Sequence, residues 1–313
     1  VTSPIREILI VGAGGMLGTA LQLAAPSHGL GTRPYTEAEL DITNGAAIRS
    51  VFGAFAMHVA RAGIRGAVIN AAAYTNVEAA EDDPDRAHLI NATAAGGLAV
   101  AARDEGLAFV HVSTDFVFDG EKPGPYEEDD APNPVSVYGA SKLAGEKAAA
   151  EAHSRALIVR TAWTYGPAGV NFPVKILERA QAATSVAADA RGATLSGNKP
   201  ALQVVADEVG SPTYTLDLAN GLLALLSAEA TGLFHLTGAG SCSRYELALE
   251  TLRLAGFAVP GDLTVEPVTS AAFPTKARRP LNSVLDCGKS ERLGVRLPAW
   301  QDGLSRFMTA LRD

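Results

Sequence analysis

Residues 8–18 constrain the fold of this chain more than any other stretch. Ile8-Leu9-Ile10-Val11 runs without a break into Gly12-Ala13-Gly14-Gly15-Met16-Leu17-Gly18. The apolar run is mostly β-branched and lacks alternation, which reads as a strand buried on both faces, as in a parallel sheet. A helical pattern follows to about Ala25 and stops at Pro26. Strand, glycine loop and helix make the first half of a dinucleotide-binding βαβ unit. Glycines let the backbone approach a ligand closely. The stretch Gly12, Gly15, Met16, Leu17 and Gly18 therefore offers N–H groups to a pyrophosphate at the positive end of the helix. The spacing is not GxGxxG, whose third glycine would fall at Leu17. It is GxxGxxG, with Gly12, Gly15 and Gly18.

NAD-binding units of this kind usually place an acid on the adenosine ribose about 20 residues after the first glycine. Here Gly31-Thr32-Arg33-Pro34 occupies that place. Arg33 suits a 2′-phosphate, which points to NADPH with NADH as the second choice; the bland alternative is a solvated surface arginine. Asp41 and Ile42 follow in Leu40-Asp41-Ile42-Thr43, where Asp41 is either an adenine contact or a helix N-cap. The next strand, from Ala67, ends in Asn70, Ala71, Ala72, Ala73 and Tyr74, small enough to leave room for a cofactor across the sheet edge. A helix is expected from about Asp85 to Glu105, and Asn91 inside it suggests a polar task.

The chemistry gathers in the next forty or so residues. Phe109-Val110-His111-Val112-Ser113-Thr114-Asp115 is an apolar strand ending in hydroxyls and a carboxylate. Tyr138-Gly139-Ala140-Ser141-Lys142 follows, with tyrosine and lysine four apart and so on one helical face. An adjacent ammonium can favour the phenolate; a shift of about 3 units corresponds to about 4 kcal/mol. Thr114 is placed to hold a carbonyl oxygen in line. This set suits reduction of a ketone; its bland alternative is an ordinary surface pair on a helix.

Strands and helices alternate through residue 165, with a helix over 136–151 and a strand at Ala156–Thr161. That alternation predicts an α/β fold, a Rossmann-like doubly wound parallel sheet with a smaller α/β substrate domain. Residues 1–165 and a returning segment at about 214–240 are assigned to dinucleotide binding, and 166–213 with 241–313 to the second domain. Within the latter, a helix over Asn171–Ala183 precedes Thr184–Pro200, a polar stretch expected to be a flexible insertion. With 47% hydrophobic and 19% charged residues the chain is that of an ordinary folded protein. Its net charge of −8 argues against a nucleic-acid partner. Cys242 and Cys287 build neither a disulfide framework nor a zinc site, and no metal is expected. No signal-peptide pattern or membrane-length apolar run occurs, so a cytoplasmic protein is expected.

Taken in order, these motifs resemble the extended short-chain dehydrogenases, in which GxxGxxG is the usual glycine spacing. Ser113-Thr114-Asp115-Phe116-Val117-Phe118-Asp119-Gly120 narrows the likeness, as do Arg160-Thr161-Ala162-Trp163, Gly210-Ser211-Pro212-Thr213, Phe234-His235-Leu236-Thr237 and Arg279-Pro280-Leu281-Asn282-Ser283. Together they resemble the dTDP-4-dehydrorhamnose reductase family over nearly the whole chain. The resemblance implies Thr114, Tyr138 and Lys142 as the catalytic set, a nicotinamide cofactor touching Tyr138 and Lys142, and a nucleotide-sugar substrate. Asp115 and Phe116 would line the sugar, although the family usually has tyrosine at the second position. Trp163, Asn171, Thr213, Arg279 and Asn282 would contact the nucleotide sugar. Arg244 stands where a tryptophan is usual, and Ala20 where some members carry a metal-binding glutamate, so neither that metal nor that homodimer is assumed. Two alternatives stay open: a reductase or epimerase on another nucleotide-linked deoxysugar, and a non-catalytic NADP-binding regulatory subunit of the methionine adenosyltransferase type.

Overall fold

Six strands form one parallel sheet in the computed structural model, which describes residues 3–191 and 200–312. They are β1 (Ile5–Val11), β2 (Gly31–Tyr35), β3 (Arg65–Asn70), β4 (Ala108–Thr114), β5 (Leu157–Thr161) and β6 (Gly232–His235). Their order is β6-β5-β4-β3-β1-β2, with every neighbouring pair parallel. The chain order reverses between β1 and β3, and such a switch opens a crevice at the carboxyl ends of the strands. The doubly wound α/β sheet expected from the sequence is therefore the one formed.

Because strand side chains alternate, β1 feeds two cores at once. Ile8 and Ile10 pack under the helices Met16–Ala24 and Thr215–Ser227, with Leu21, Leu218 and Leu222. Leu9 and Val11 pack on the opposite face with Phe52, Leu98 and Phe109, beneath the helices Gly45–Arg61, Ala95–Asp104 and Val137–Ala152. A smaller set of elements lies beyond the sheet. Strands Ala201–Val205 and Thr264–Val268 pair in parallel, and the helices Phe172–Arg191 and Arg244–Leu254 share an apolar core with them through Ile176, Leu252, Leu202 and Val265. Among the described residues no helix is long and apolar enough to cross a membrane.

Three local features depart from the sequence reading. The helix Gly45–Arg61 was not anticipated, although Ile48, Phe52, Phe55 and Val59 recur at helical spacing along it. Asn44 caps it, accepting from the N–H groups of Ala46 and Ala47, so Asp41 is not the cap. The single helix expected over 85–105 is instead Pro84–His88, a π-type turn Leu89–Ala94 and Ala95–Asp104. The insertion expected at Thr184–Pro200 begins as helix, since Phe172–Arg191 continues through its first half; residues 192–199 lie outside the described residues.

Phe52 is fully buried against the sheet. Phe52→Ala should cost about 3–5 kcal/mol through lost burial and the cavity left behind, measured as a lower urea midpoint. A cost under about 1 kcal/mol would mean that this helix does not seal its face of the sheet.

Candidate active site

At the end of β1 the chain turns on Gly12, at φ 84°, while the N–H groups of Gly12 and Ala13 donate to the Tyr35 carbonyl at 3.0 and 2.9 Å. The helix Met16–Ala24 then lies directly on this turn. A Cβ at Gly18 would come within 2.2 Å of the Gly12 oxygen, so no larger residue fits there. No side chain caps this helix, which leaves the first-turn N–H groups of Met16 and Leu17 to an anion. Across the crevice runs the half-buried strip Ala71–Tyr74, tied down by Ala71 N–H to the Val11 carbonyl at 2.9 Å and by Ala72 N–H to Asn70 Oδ1 at 3.1 Å. A bare glycine turn, an uncapped helix start and a small-residue strip fit a dinucleotide.

Arg33 lies two residues before Tyr35, whose carbonyl holds the glycine turn. It sits within β2 opposite Leu9, half-exposed, and its guanidinium turns to Glu7 at 3.6 Å and His58 at 3.2 Å. Its partners lie on β1 and the helix Gly45–Arg61, and half of the side chain stays open to solvent. Asp41 closes its own turn by accepting from the Thr43 N–H and hydroxyl, which hold its carboxyl below the usual range. Ile42 packs on the apolar cluster around Leu40 and Ile48.

The helix Val137–Ala152 brings the tyrosine and lysine to the end of β4. Ser136 caps it through the Gly139 N–H, and Glu81 accepts from the Val137 N–H at 2.8 Å. The Tyr138 ring meets Phe116 edge-on, with centroids 5.5 Å apart. Burial pushes the phenol up to about 12; the Thr114 hydroxyl opposes this and the Asp115 charge adds to it. Thr114 donates to Asp115 Oδ1 at 2.9 Å. Burial likewise raises the Asp115 carboxyl to about 6, against the Ser283 and Thr114 hydroxyls and the Arg244 charge. Its Oδ2 still lacks a hydrogen-bond partner among the described residues.

Lys142 is buried, and its ammonium donates to the Val112 carbonyl at 2.6 Å. Burial pulls its pKa down to about 8, against the opposing charge of Glu146. In the protein by itself the Lys142 ammonium is thus bonded to the strand. The cation is turned onto the strand carbonyl, and desolvation governs Tyr138 instead. Asn91 performs the polar task its position suggested: it accepts from the Tyr74 N–H at 2.8 Å and donates to Ser141 Oγ at 2.9 Å, joining the cofactor strip to this helix.

Sequence reasoning missed the layer beneath. Glu146 accepts from Ser113 Oγ at 2.5 Å and from both arms of Arg160 at 2.8 and 2.7 Å, all buried. The 138, 142, 146 spacing carried that signal, since all three share one helical face.

Beside the helix Phe172–Arg191 a cleft of about 910 Å³ opens, bordered by Phe172, Arg179, Glu208, Arg244, Phe273 and Arg279 among others. Arg279 is there, paired with Glu78 at 2.5 Å, and Trp163 lies under Arg244. The other three expected sugar contacts are committed to the backbone. Asn171 caps its helix and donates to the Gly166 carbonyl, Thr213 bonds Ser211 O and the Gly238 N–H, and Asn282 holds the Lys122 and Gly124 carbonyls. A smaller hollow of about 320 Å³ lies at the amino ends of the strands, away from all of these groups.

A dinucleotide cradle at the switch point of a parallel sheet, facing a phenol, a strand-end hydroxyl and a buried lysine, defines a short-chain dehydrogenase of the extended class. Comparison with known proteins narrows this. A family profile described as the RmlD substrate binding domain matches residues 6–313. The dTDP-4-dehydrorhamnose reductase of Mycolicibacterium smegmatis is 38% identical over 310 residues, 98% of this chain and 86% of that one. That of Aggregatibacter actinomycetemcomitans is 36% identical, covering 97% of this chain and 98% of its own. The solved dTDP-4-dehydrorhamnose reductase from Bacillus anthracis str. Ames, in complex with NADP, superposes with a TM-score of 0.85 at 33% identity, covering 98% and 99% of the two chains. UDP-glucose 4-epimerase of Thermus thermophilus shares the fold alone, at 20% identity, a TM-score of 0.75 and coverage of 98% and 99%. The chain belongs to the dTDP-4-dehydrorhamnose reductase family.

Lys142 gives the site a pH signature. The folded protein releases this proton near pH 8 and the unfolded chain near 10.5. Between those values the unfolded state binds more protons, so the lysine's penalty on stability is relieved as pH rises. Wild type should gain up to roughly 3 kcal/mol relative to Lys142→Met between pH 7.5 and 10 in urea titrations. Parallel curves for the two proteins would show that the ammonium is not desolvated.

Proposed function

We propose that this protein reduces the C4 ketone of dTDP-4-dehydro-L-rhamnose to dTDP-L-rhamnose, with NADPH as the preferred hydride donor and NADH as a second one. The observation that carries this reading is the meeting of buried Thr114, at the carboxyl end of β4, with the helix Val137–Ala152 that carries buried Lys142 and Tyr138, the latter packed edge-on against Phe116. Residues 1–165 with 214–240 hold the cofactor in this reading, and 166–213 with 241–313 take the nucleotide sugar. The loop Gly12–Gly18 and the strip Ala71–Tyr74 position the dinucleotide, with Asp41 and Ile42 at its adenosine end.

The bound nicotinamide supplies the hydride. Everything else falls to side chains of this chain. Thr114 turns its hydroxyl proton from Asp115 to the ketone oxygen and holds it in line with the phenol. Tyr138, whose phenol keeps its proton at neutral pH, gives that proton to the oxygen as negative charge develops there. The phenolate left behind is stabilised by the Lys142 ammonium one helical turn away, which turns to it from the Val112 carbonyl. Asp115 and Phe116 border the sugar, while Trp163 and Arg279 lie toward the nucleotide. Asn171, Thr213 and Asn282 act on the substrate only through the loops they brace. Full-length likeness to named reductases favours reduction over the epimerase and non-catalytic alternatives.

The test is NADPH and NADH oxidation with enzymatically made dTDP-4-dehydro-L-rhamnose, the product read by NMR. Tyr138→Phe should keep cofactor affinity and lose about a hundred- to ten-thousandfold in turnover. Near-wild-type turnover in that variant would refute the assigned proton donor, and no ketone reduction by wild type would refute the function.

A further inference from the structure

Arg244 is unlike the other cations around the cleft. Lys276 and Arg278 are largely exposed and paired with Asp82 and Glu121, Arg279 is paired with Glu78, and Arg179 donates to the Gln203 carbonyl. The Arg244 side chain is only 19% exposed, and it pairs at 3.5 Å with Glu208, which is as well buried. Ring stacking also holds Arg244: the guanidinium carbon lies 3.5 Å from the Trp163 ring centroid and 5.2 Å from that of Phe172.

Trp163 is itself an immobilised platform. It sits at φ 46°, a left-handed conformation that a bulky residue adopts only when its surroundings impose it. The Gly210 backbone presses on the indole so closely that a Cβ there would fall 2.4 Å from Trp163 Cε2. Stacking fixes the plane of a guanidinium and leaves its edge N–H groups as the part available to a ligand. Arg244 borders the open cleft, and its charge opposes the rise of the buried Asp115 carboxyl, whose Oδ2 has no hydrogen-bond partner among the described residues.

We propose that Arg244 is a substrate-positioning residue that clamps the diphosphate of the nucleotide sugar, using Trp163 as its platform; this rests on the nucleotide-sugar reading above. A fixed, desolvated guanidinium matches two phosphate oxygens bidentately, and burial protects the pairing from screening by salt. The diphosphate is the only strongly anionic part of such a substrate. Holding it at this point fixes how far the sugar extends toward Thr114 and Tyr138.

Calorimetric titration of wild type, Arg244→Lys, Arg244→Ala and Arg244→Trp with thymidine, dTMP and dTDP tests this, alongside KM and kcat for dTDP-4-dehydro-L-rhamnose. Arg244→Ala and Arg244→Trp should bind dTDP about 10- to 100-fold more weakly while thymidine changes less than about threefold, with Arg244→Lys in between. KM should rise more than kcat falls. Equal losses for thymidine and dTDP, or no loss of dTDP affinity, would overturn the clamp. Circular dichroism melts select variants that fold, and Arg244→Lys carries the test if the others do not. Wild type that neither binds dTDP nor reduces the ketone overturns the clamp and the nucleotide-sugar reading together. Wild type that does both, with variants unchanged for dTDP, overturns the clamp alone.

Discussion

The seating of the helix Val137–Ala152 against the end of β4 is the contact on which the site depends. Gly139 makes it geometrically available, because a Cβ there would lie 2.1 Å from the Phe116 carbonyl oxygen. Its position is then fixed by polar contacts from several other elements: Glu81 at its first turn, Asn91 through Ser141, and Ser113 and Arg160 through Glu146. A buried pair such as Glu146–Arg160 contributes little net stability, since two charges had to leave water. It has another consequence. Any sliding or rotation of the helix would strand one of those charges, at a cost of about 3–5 kcal/mol, so the pair selects one register. Tyr138 and Lys142 inherit that register because they lie on the same helical face as Glu146.

The same burial that fixes geometry sets charge. Desolvation is the leading cause for all three groups at the strand end: it raises Tyr138, raises Asp115 and lowers Lys142. Each shift favours the neutral form of its group. The consequence is a phenol kept protonated, the form a proton donor needs before a hydride arrives. Lys142 is drawn toward the Val112 carbonyl rather than the phenol because a buried ammonium requires an acceptor and the strand supplies one.

What the sequence disclosed and what it hid follow from how local each feature is. The glycine turn, β4 with its polar end, and the Tyr138–Lys142 pair are each written within a short stretch of chain, so periodicity and spacing expose them. Arg33 is different: its direction depends on the pairing of β2 with β1, which sets it opposite Leu9 and within reach of Glu7. The helix Gly45–Arg61 is hard to see in the sequence because glycine, alanine and histidine dilute its apolar stripe. Asn171, Thr213 and Asn282 are expected as ligand contacts from the family resemblance. Each is used up by a loop whose backbone would otherwise be unsatisfied, a demand visible only in three dimensions. The stacking of Arg244 on Trp163 joins residues far apart in the chain, and no spacing rule reaches that far.

The cleft has walls of unequal strength. On one side stand Phe172, Glu208 and Arg244, with Arg244 stacked on Trp163 and Phe172. On the other, the segment around Lys276–Arg279 is fastened to the helix Val77–Asp82 by Lys276 to Asp82, by Arg279 to Glu78, and by the Lys276 N–H to Glu78 at 2.9 Å. The Lys276–Asp82 pair is largely exposed, and pairs of that kind add little stability and weaken with salt. Arg279 is also the residue that an incoming phosphate would attract, and Glu78 already occupies its guanidinium. A substrate anion at that wall therefore has to displace a carboxylate, whereas at Arg244 it meets a cation whose carboxylate partner lies at 3.5 Å. The stacked cation at the start of the helix Arg244–Leu254 is thus the one with N–H groups to spare. That makes Arg244, rather than the more exposed arginine, the group able to set the depth to which a sugar enters.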